Sequence, residues 1–178
     1  MQEIIVESTQ NENVDEVIDE MMKRYGQEIL QLVYSYVNNK AVAEDLTQEI
    51  FIKCYKAYPT FNKKSKLRTW IWRIAINHCK DYLKSWYNKN VIVAEEKSIE
   101  TSCNRETIEQ TLIQKDEDHR LVYAVMNLPI KYREVIYLYY YEELLINEII
   151  ALLIEKKEST VKTRLKRAKE LLKDSLEE

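Results

Sequence analysis

Two clusters of cationic side chains carry the chemistry open to this sequence. Lys63, Lys64, Lys66, Arg68, Arg73, Lys80, Lys84 and Lys89 form one block; Lys156, Lys157, Lys162, Arg164, Lys166, Arg167 and Lys169 form another. Cations held on two separate helices can neutralise a polyanion at two places, and Arg and Lys can also read guanine edges in a major groove. The formal net charge is only -3, and residues 1–22 hold seven acids and no Lys or Arg. The uneven distribution therefore says more about partners than the sum does.

Other chemistries lack their residues. His78 and His119 are the two histidines of the chain, too few for a metal or catalytic constellation. His78 falls on an apolar stripe, which reads as a hydrogen-bonded core histidine. Cys54, Cys79 and Cys103 are odd in number and lack CxxC spacing, so they read as buried or idle thiols and not as a disulfide framework or zinc site. A single glycine cannot build a phosphate-cradling loop or a nucleophile elbow. A binding protein is expected, not an enzyme, with neither cofactor nor metal.

The elements that position the cations are expected to be helices throughout. One Gly, two Pro and 46% hydrophobic residues in short periodic runs leave too little punctuation for strands and tight turns. No run approaches the roughly 18 apolar residues of a membrane span, and the acidic start is unlike a signal peptide. A cytoplasmic protein without membrane insertion is expected. Val14, Val17, Ile18 and Met21, then Tyr25, Ile29, Leu32, Val33 and Tyr36, keep a helical period with Gly26 near their junction, giving one or two opening helices. A further helix starts near Ala41 and ends at Pro59, whose ring and missing N–H stop it. After the polar loop "PTFNKKSK" a helix runs from about Leu67, and beyond Trp86 the apolar pattern dissolves. The expected organisation is an acidic N-terminal tail at 1–13, a helical domain at 14–88, a flexible linker at 89–115 and a second helical domain at 116–178.

The second domain ends in the order of a helix-turn-helix: a short apolar helix, "INEIIALLI", a charged break, "EKKES", and a long basic helix. At 100° per residue Val161, Leu165, Ala168 and Leu172 form its inward stripe. Ser159, Thr163, Lys166, Arg167 and Glu170 are centred opposite, flanked by Lys162, Arg164 and Lys169, a face that suits a major groove. A merely solvated face has the same composition; the short helix and turn ahead of it favour the groove. In the first domain Ile71, Ile74, Ala75, His78 and Tyr82 share the inward stripe. Arg73, Asn77, Lys80 and Lys84 gather on the far side with Ile76 beside them, and the stripe is too narrow for a membrane-surface helix. Trp70 and Trp72 sit on opposite shoulders, where core packing outweighs stacking on bases. Asp45, Gln48 and Glu49 lie at i, i+3 and i+4, a polar patch beside Leu46, Ile50 and Phe51.

These residues carry a family resemblance. "AEDLTQEIFIKCYKAYPTF" followed by "LRTWIWRIAINHCKDYL" resembles conserved region 2 of the bacterial sigma-70 family, in its extracytoplasmic-function (ECF) group. "LPIKYREVIYLYYYEELLINEIIALL" followed by "STVKTRLKRAKELLK" resembles region 4 of the same group. The resemblance implies a detachable subunit that binds core RNA polymerase and directs it to promoter DNA. By that analogy Asp45, Gln48 and Glu49 in "DLTQE" bind core polymerase. The loop from Thr60 to Lys66, with Lys63, Lys64 and Lys66, and then Arg68, Arg73, Asn77, Lys80 and Lys84 meet the -10 element as the duplex opens. Ser159, Thr160, Lys162, Thr163, Arg164, Lys166 and Arg167 meet the -35 element. An anti-sigma factor partner is implied by the same resemblance. The chain departs from the family pattern at "IEKKES", where the usual turn glycine is missing, so the turn must accept a costlier backbone or another shape. The main alternative is a stand-alone helix-turn-helix transcriptional regulator, which explains the basic tail helix but not "DLTQE".

Overall fold

The computed structural model describes residues 13–96, 117–154 and 157–177. Every regular element among them is helical. Helix α1 (Val14–Val37) starts at Asn13, whose side chain accepts the Asp15 N–H, and closes on Asn38 in the left-handed conformation at φ 50°. The next residue, Asn39, accepts the Val42 N–H and starts α2 (Lys40–Ala57). Adjacent asparagines thus cap one helix and begin the next, because this short amide side chain tolerates left-handed backbone and also satisfies open N–H groups. α1 is continuous through Gly26, where an added Cβ would meet nothing within 4 Å. The glycine is a weak point inside one helix and does not divide two.

α2 gives way to a 3-10 turn, Tyr58–Thr60, that contains Pro59. After the basic loop, α3 spans Leu67–Glu96, past Trp86 and across the 88/89 boundary expected from sequence. Its last turns contain no Gly or Pro to end the helix. The remainder of the expected linker, and the N-terminal tail up to residue 12, lie outside the described residues.

The second half consists of α4 (Glu117–Asn127), α5 (Ile130–Ile136), a π turn at Tyr137–Tyr141, α6 (Ile146–Leu153) and α7 (Glu158–Glu177). Pro129 caps α5, one position before its first helical residue. α1 packs on α2 and α3, and α7 packs on α4, α5 and α6; the halves meet where α5 lies on α1 and α6 on α3. Ile29, Leu32, Ile50, Phe51, Ile71 and Trp72 from the first half, and Val135, Leu138, Ile149, Leu152, Val161 and Leu165 from the second, belong to one continuous buried cluster. Burial pushes the Cys54 and Cys79 thiols up to about 12, which keeps them protonated and unreactive near neutral pH. No described helix is long and apolar enough to cross a membrane.

Candidate nucleic-acid interface

α7 takes its orientation from its buried stripe. Val161, Leu165 and Ala168 are buried and Leu172 is half-buried, so Ser159, Lys162, Thr163, Lys166 and Arg167 are left exposed on other sides of the helix. Thr160 is half-buried. Lys162 pairs with Glu158 one turn back, and Arg167 pairs with Glu170 at 2.9 Å one turn on. Such exposed same-helix pairs are screened by solvent and hold their side chains only weakly. Arg164 differs: it is half-buried and its Nη1 donates to Glu134 Oε1 at 3.3 Å.

The turn ahead of α7 departs from the glycine pattern in a definite way. α6 closes on Ile154, a β-branched residue held at φ 55°, ψ 34° with its side chain 68% exposed. A left-handed conformation costs an ordinary L-residue roughly 1–2 kcal/mol, and β-branching makes it rarer still. Glu148 Oε2 accepts the Leu145 N–H at 2.8 Å at the other end of α6, so this short helix is held at its start and strained at its finish.

The basic ridge of α3 has a different setting. Asn77 and Lys84 are exposed, but Arg73 is half-buried and its Nε donates to the Ala151 carbonyl of α6 at 3.1 Å. Lys80 Nζ lies 3.2 Å from Glu134 Oε2 of α5. Arg68 Nε pairs with Glu28 at 2.9 Å and its Nη2 with Glu142 at 2.8 Å, while its guanidinium sits 4.5 Å from the Trp72 ring centre. Burial lowers the Arg68 pKa, but Glu28 and Glu142 more than reverse this and hold it above the ordinary arginine value. Ile76, assigned from sequence to the basic side, is fully buried, as is Trp72. The cause is tertiary: α3 packs on α1 and α2 and also on α6, so it has more than one inward side.

Ahead of α3, Lys63, Lys64 and Lys66 are exposed on a loop in which Lys63 adopts φ 56°. The loop is backed by an aromatic cluster: Phe61 lies 4.9 Å from Trp70 and Tyr58 lies 6.3 Å from Trp70, centre to centre. Trp70 is half-buried at this loop and Trp72 is core, so the two tryptophans have separate tasks.

On α2, Asp45, Gln48 and Glu49 are all exposed, and Glu49 Oε2 lies 2.7 Å from His78 Nε2. His78 thus ties α3 to the polar face of α2. Leu46, Ile50 and Phe51 are buried and belong to the core. The apolar residues that remain in the open beside the patch are Ile52 and Tyr55. Reading of α2 by motif passed over both; helical projection would have found them, because at 100° per residue they share a side with Asp45 and Gln48. Among the described residues no group of three or more His, Cys, Asp or Glu is placed to hold a metal ion.

Two family models match the two halves. Residues 21–87 match sigma-70 region 2, and residues 118–172 match sigma-70, region 4. Over 159 residues the chain is 32% identical to the ECF RNA polymerase sigma factor SigW of Bacillus subtilis, covering 85% of this chain and 84% of that one. It is 29% identical over 164 residues to the ECF RNA polymerase sigma-E factor of Escherichia coli strain K12, covering 88% of this chain and 85% of that one. Among solved structures it is similar in fold to the sigma factor RpoE of Bartonella quintana, solved in complex with the anti-sigma factor NepR, with a TM-score of 0.70 at 19% identity over 91% of this chain and 98% of that one. With both regions present in order on an all-helical fold, the chain belongs to the sigma-70 family of RNA polymerase sigma factors, in its extracytoplasmic-function group.

Proposed function

We propose that this chain binds core RNA polymerase and directs it to promoters, with the chemistry of transcription supplied by the polymerase. The observation that carries this reading is the pairing of two unlike open faces. α7 exposes Ser159, Thr163, Lys166 and Arg167 opposite its buried stripe, and α2 exposes Asp45, Gln48 and Glu49 with Ile52 and Tyr55. A duplex reader needs the first face alone; a polymerase subunit needs both.

In this reading α7 reads the -35 element. Lys166 and Arg167 with Ser159, Thr160 and Thr163 are the candidates for reading base edges, and Lys162 and Arg164 hold the backbone. The -10 element meets Lys63, Lys64 and Lys66 of the loop and then Arg68, Arg73, Asn77, Lys80 and Lys84 of α3. An unstacked base needs an aromatic or apolar wall and cations for its phosphate, and the cluster of Tyr58, Phe61 and Trp70 under the basic loop offers both. The carboxylates of α2 and their apolar neighbours meet the polymerase. Two modules on one chain gain affinity only where the promoter spacing lets both engage. An anti-sigma factor is a further partner of this reading, since the solved relative named above was held by one.

Size-exclusion chromatography with purified bacterial core RNA polymerase at moderate salt tests the reading without knowledge of the promoter. Co-migration is the expected result. Clean separation from active core would move the assignment to a stand-alone helix-turn-helix regulator, which uses α7 and leaves the α2 face without a role.

A further inference from the structure

One carboxylate of the polar face on α2 is held from behind by a side chain of α3. His78 Nε2 lies 2.7 Å from Glu49 Oε2, and the two residues are 29 positions apart in the chain. The imidazole side chain is only 12% exposed, whereas the glutamate side chain is 56% exposed. Ala75, one turn before the histidine, and Cys79, next to it, are fully buried, so the ring leaves a stretch of α3 that is locked into the core. Leu46 and Ile50 fix the α2 side of the pair in the same way. A nearly buried ring with a set position thus reaches a carboxylate that stands in the open.

The other ring nitrogen shows what the histidine is for. Nδ1 is buried and has no hydrogen-bond partner. A buried polar atom left unpaired costs free energy, so an apolar side chain would serve the core better at this position. A proton on Nδ1 would have no acceptor, and the ring therefore carries it on Nε2, where it donates to Glu49. An exposed glutamate ordinarily samples several rotamers and loses that freedom when a partner docks. Holding it beforehand removes part of that cost. A carboxylate accepts at both oxygens, so a bond to Oε2 leaves capacity at Oε1 for a donor from a partner.

We propose that His78 is a positioning residue for polymerase binding: its Nε2–H holds the Glu49 carboxylate in one orientation on the face of α2. This rests on the reading of Asp45, Gln48 and Glu49 as the polymerase-binding patch. His78 itself touches no polymerase in this account; it acts through Glu49.

Three substitutions of His78 in the full chain test the proposal. His78→Gln restores the donor, because a glutamine Nε2 lies as many bonds from Cα as the imidazole Nε2 does. His78→Asn carries its N–H at the place of Nδ1, too short to reach Glu49, and His78→Leu fills the slot with no donor. Affinity for purified bacterial core RNA polymerase is read from the anisotropy of the fluorescently labelled chain, and circular dichroism in urea gives the stability of each variant. His78→Leu and His78→Asn should weaken binding about three- to tenfold, and His78→Gln should stay within about twofold of wild type. In a chain that already carries Glu49→Ala, His78→Leu should have no further effect on affinity, since the group it positions is gone. A merely structural histidine would instead give the same loss in both backgrounds, and that result would overturn the proposal. Wild-type affinity for folded His78→Leu, or a glutamine variant that binds no better than the asparagine one, would overturn it too. The comparison of glutamine with asparagine decides even where the leucine variant does not fold. If Glu49→Ala alone left polymerase affinity unchanged, the reading of Glu49 as a polymerase contact would fall, and the positioning with it.

Discussion

On α7, Lys162 and Arg167 pair with acids on their own helix, exposed to solvent and one turn away. On α3, Arg68, Arg73 and Lys80 pair with groups from α1, α5, α6 and the segment after the π turn, and each of the three is partly covered. Both helices earn the description of basic and amphipathic. The difference lies in what a partner must displace: a weak local ion pair on α7, a tertiary contact on α3. Arg164 marks the boundary, since it lies on α7 but bonds to Glu134 as Lys80 does. α7 therefore keeps an open polar face, whereas Arg68, Arg73 and Lys80 of α3 are engaged by neighbouring elements.

Removing the support of α3 should give the largest effect. Trp72 is 1% exposed and carries Arg68 over its ring, so Trp72→Ala should cost about 3–5 kcal/mol in urea unfolding, whereas Lys166→Ala on the open face should stay within about 0.5 kcal/mol. Equal small losses would show that α3 is no better anchored than α7.

The next effect separates the two open faces by function. Arg167→Ala should weaken use of a promoter by about 1–3 kcal/mol, roughly five- to 150-fold, and leave co-migration with core polymerase intact. Asp45→Ala combined with Glu49→Ala should do the reverse, weakening polymerase binding while α7 remains unchanged. Abortive-initiation and sizing assays run side by side would show whether the division holds.

Smaller effects sharpen the contrast between the strained and the relaxed turn. Ile154→Gly should stabilise the fold by about 1 kcal/mol, because relief of the left-handed isoleucine outweighs the greater freedom of glycine when unfolded. A melting temperature that falls would mean that the exposed isoleucine has an unrecognised partner. Gly26→Ala in the middle of α1 should add about 0.5–1 kcal/mol, since the new methyl meets nothing within 4 Å.

Much of this was legible in the residues. The 3.6-residue period set the inward stripe of α7 at Val161, Leu165 and Ala168, and Pro59 set the end of α2. The absent glycine in "IEKKES" announced an unusual turn, and the backbone supplies it at Ile154. Local pattern did not show that α3 continues to Glu96, because the residues after Trp86 keep no clear helical period, while nothing in them breaks a helix. Nor could it place Ile76 or the cations of α3. Their environment depends on α5 and α6, and the Tyr36–Glu134 bond joins residues 98 positions apart. Periodicity reports which side of a helix is apolar; it is silent on which remote element covers the polar side.

The most direct test of the central claim is transcription in vitro with core RNA polymerase, the purified chain and a library of bacterial genomic fragments, with the 5′ ends of the transcripts sequenced. The account predicts start sites that require the chain and share two upstream elements at fixed spacing, with use of the distal element lost for Arg167→Ala. Start sites that are the same with and without the chain would contradict it.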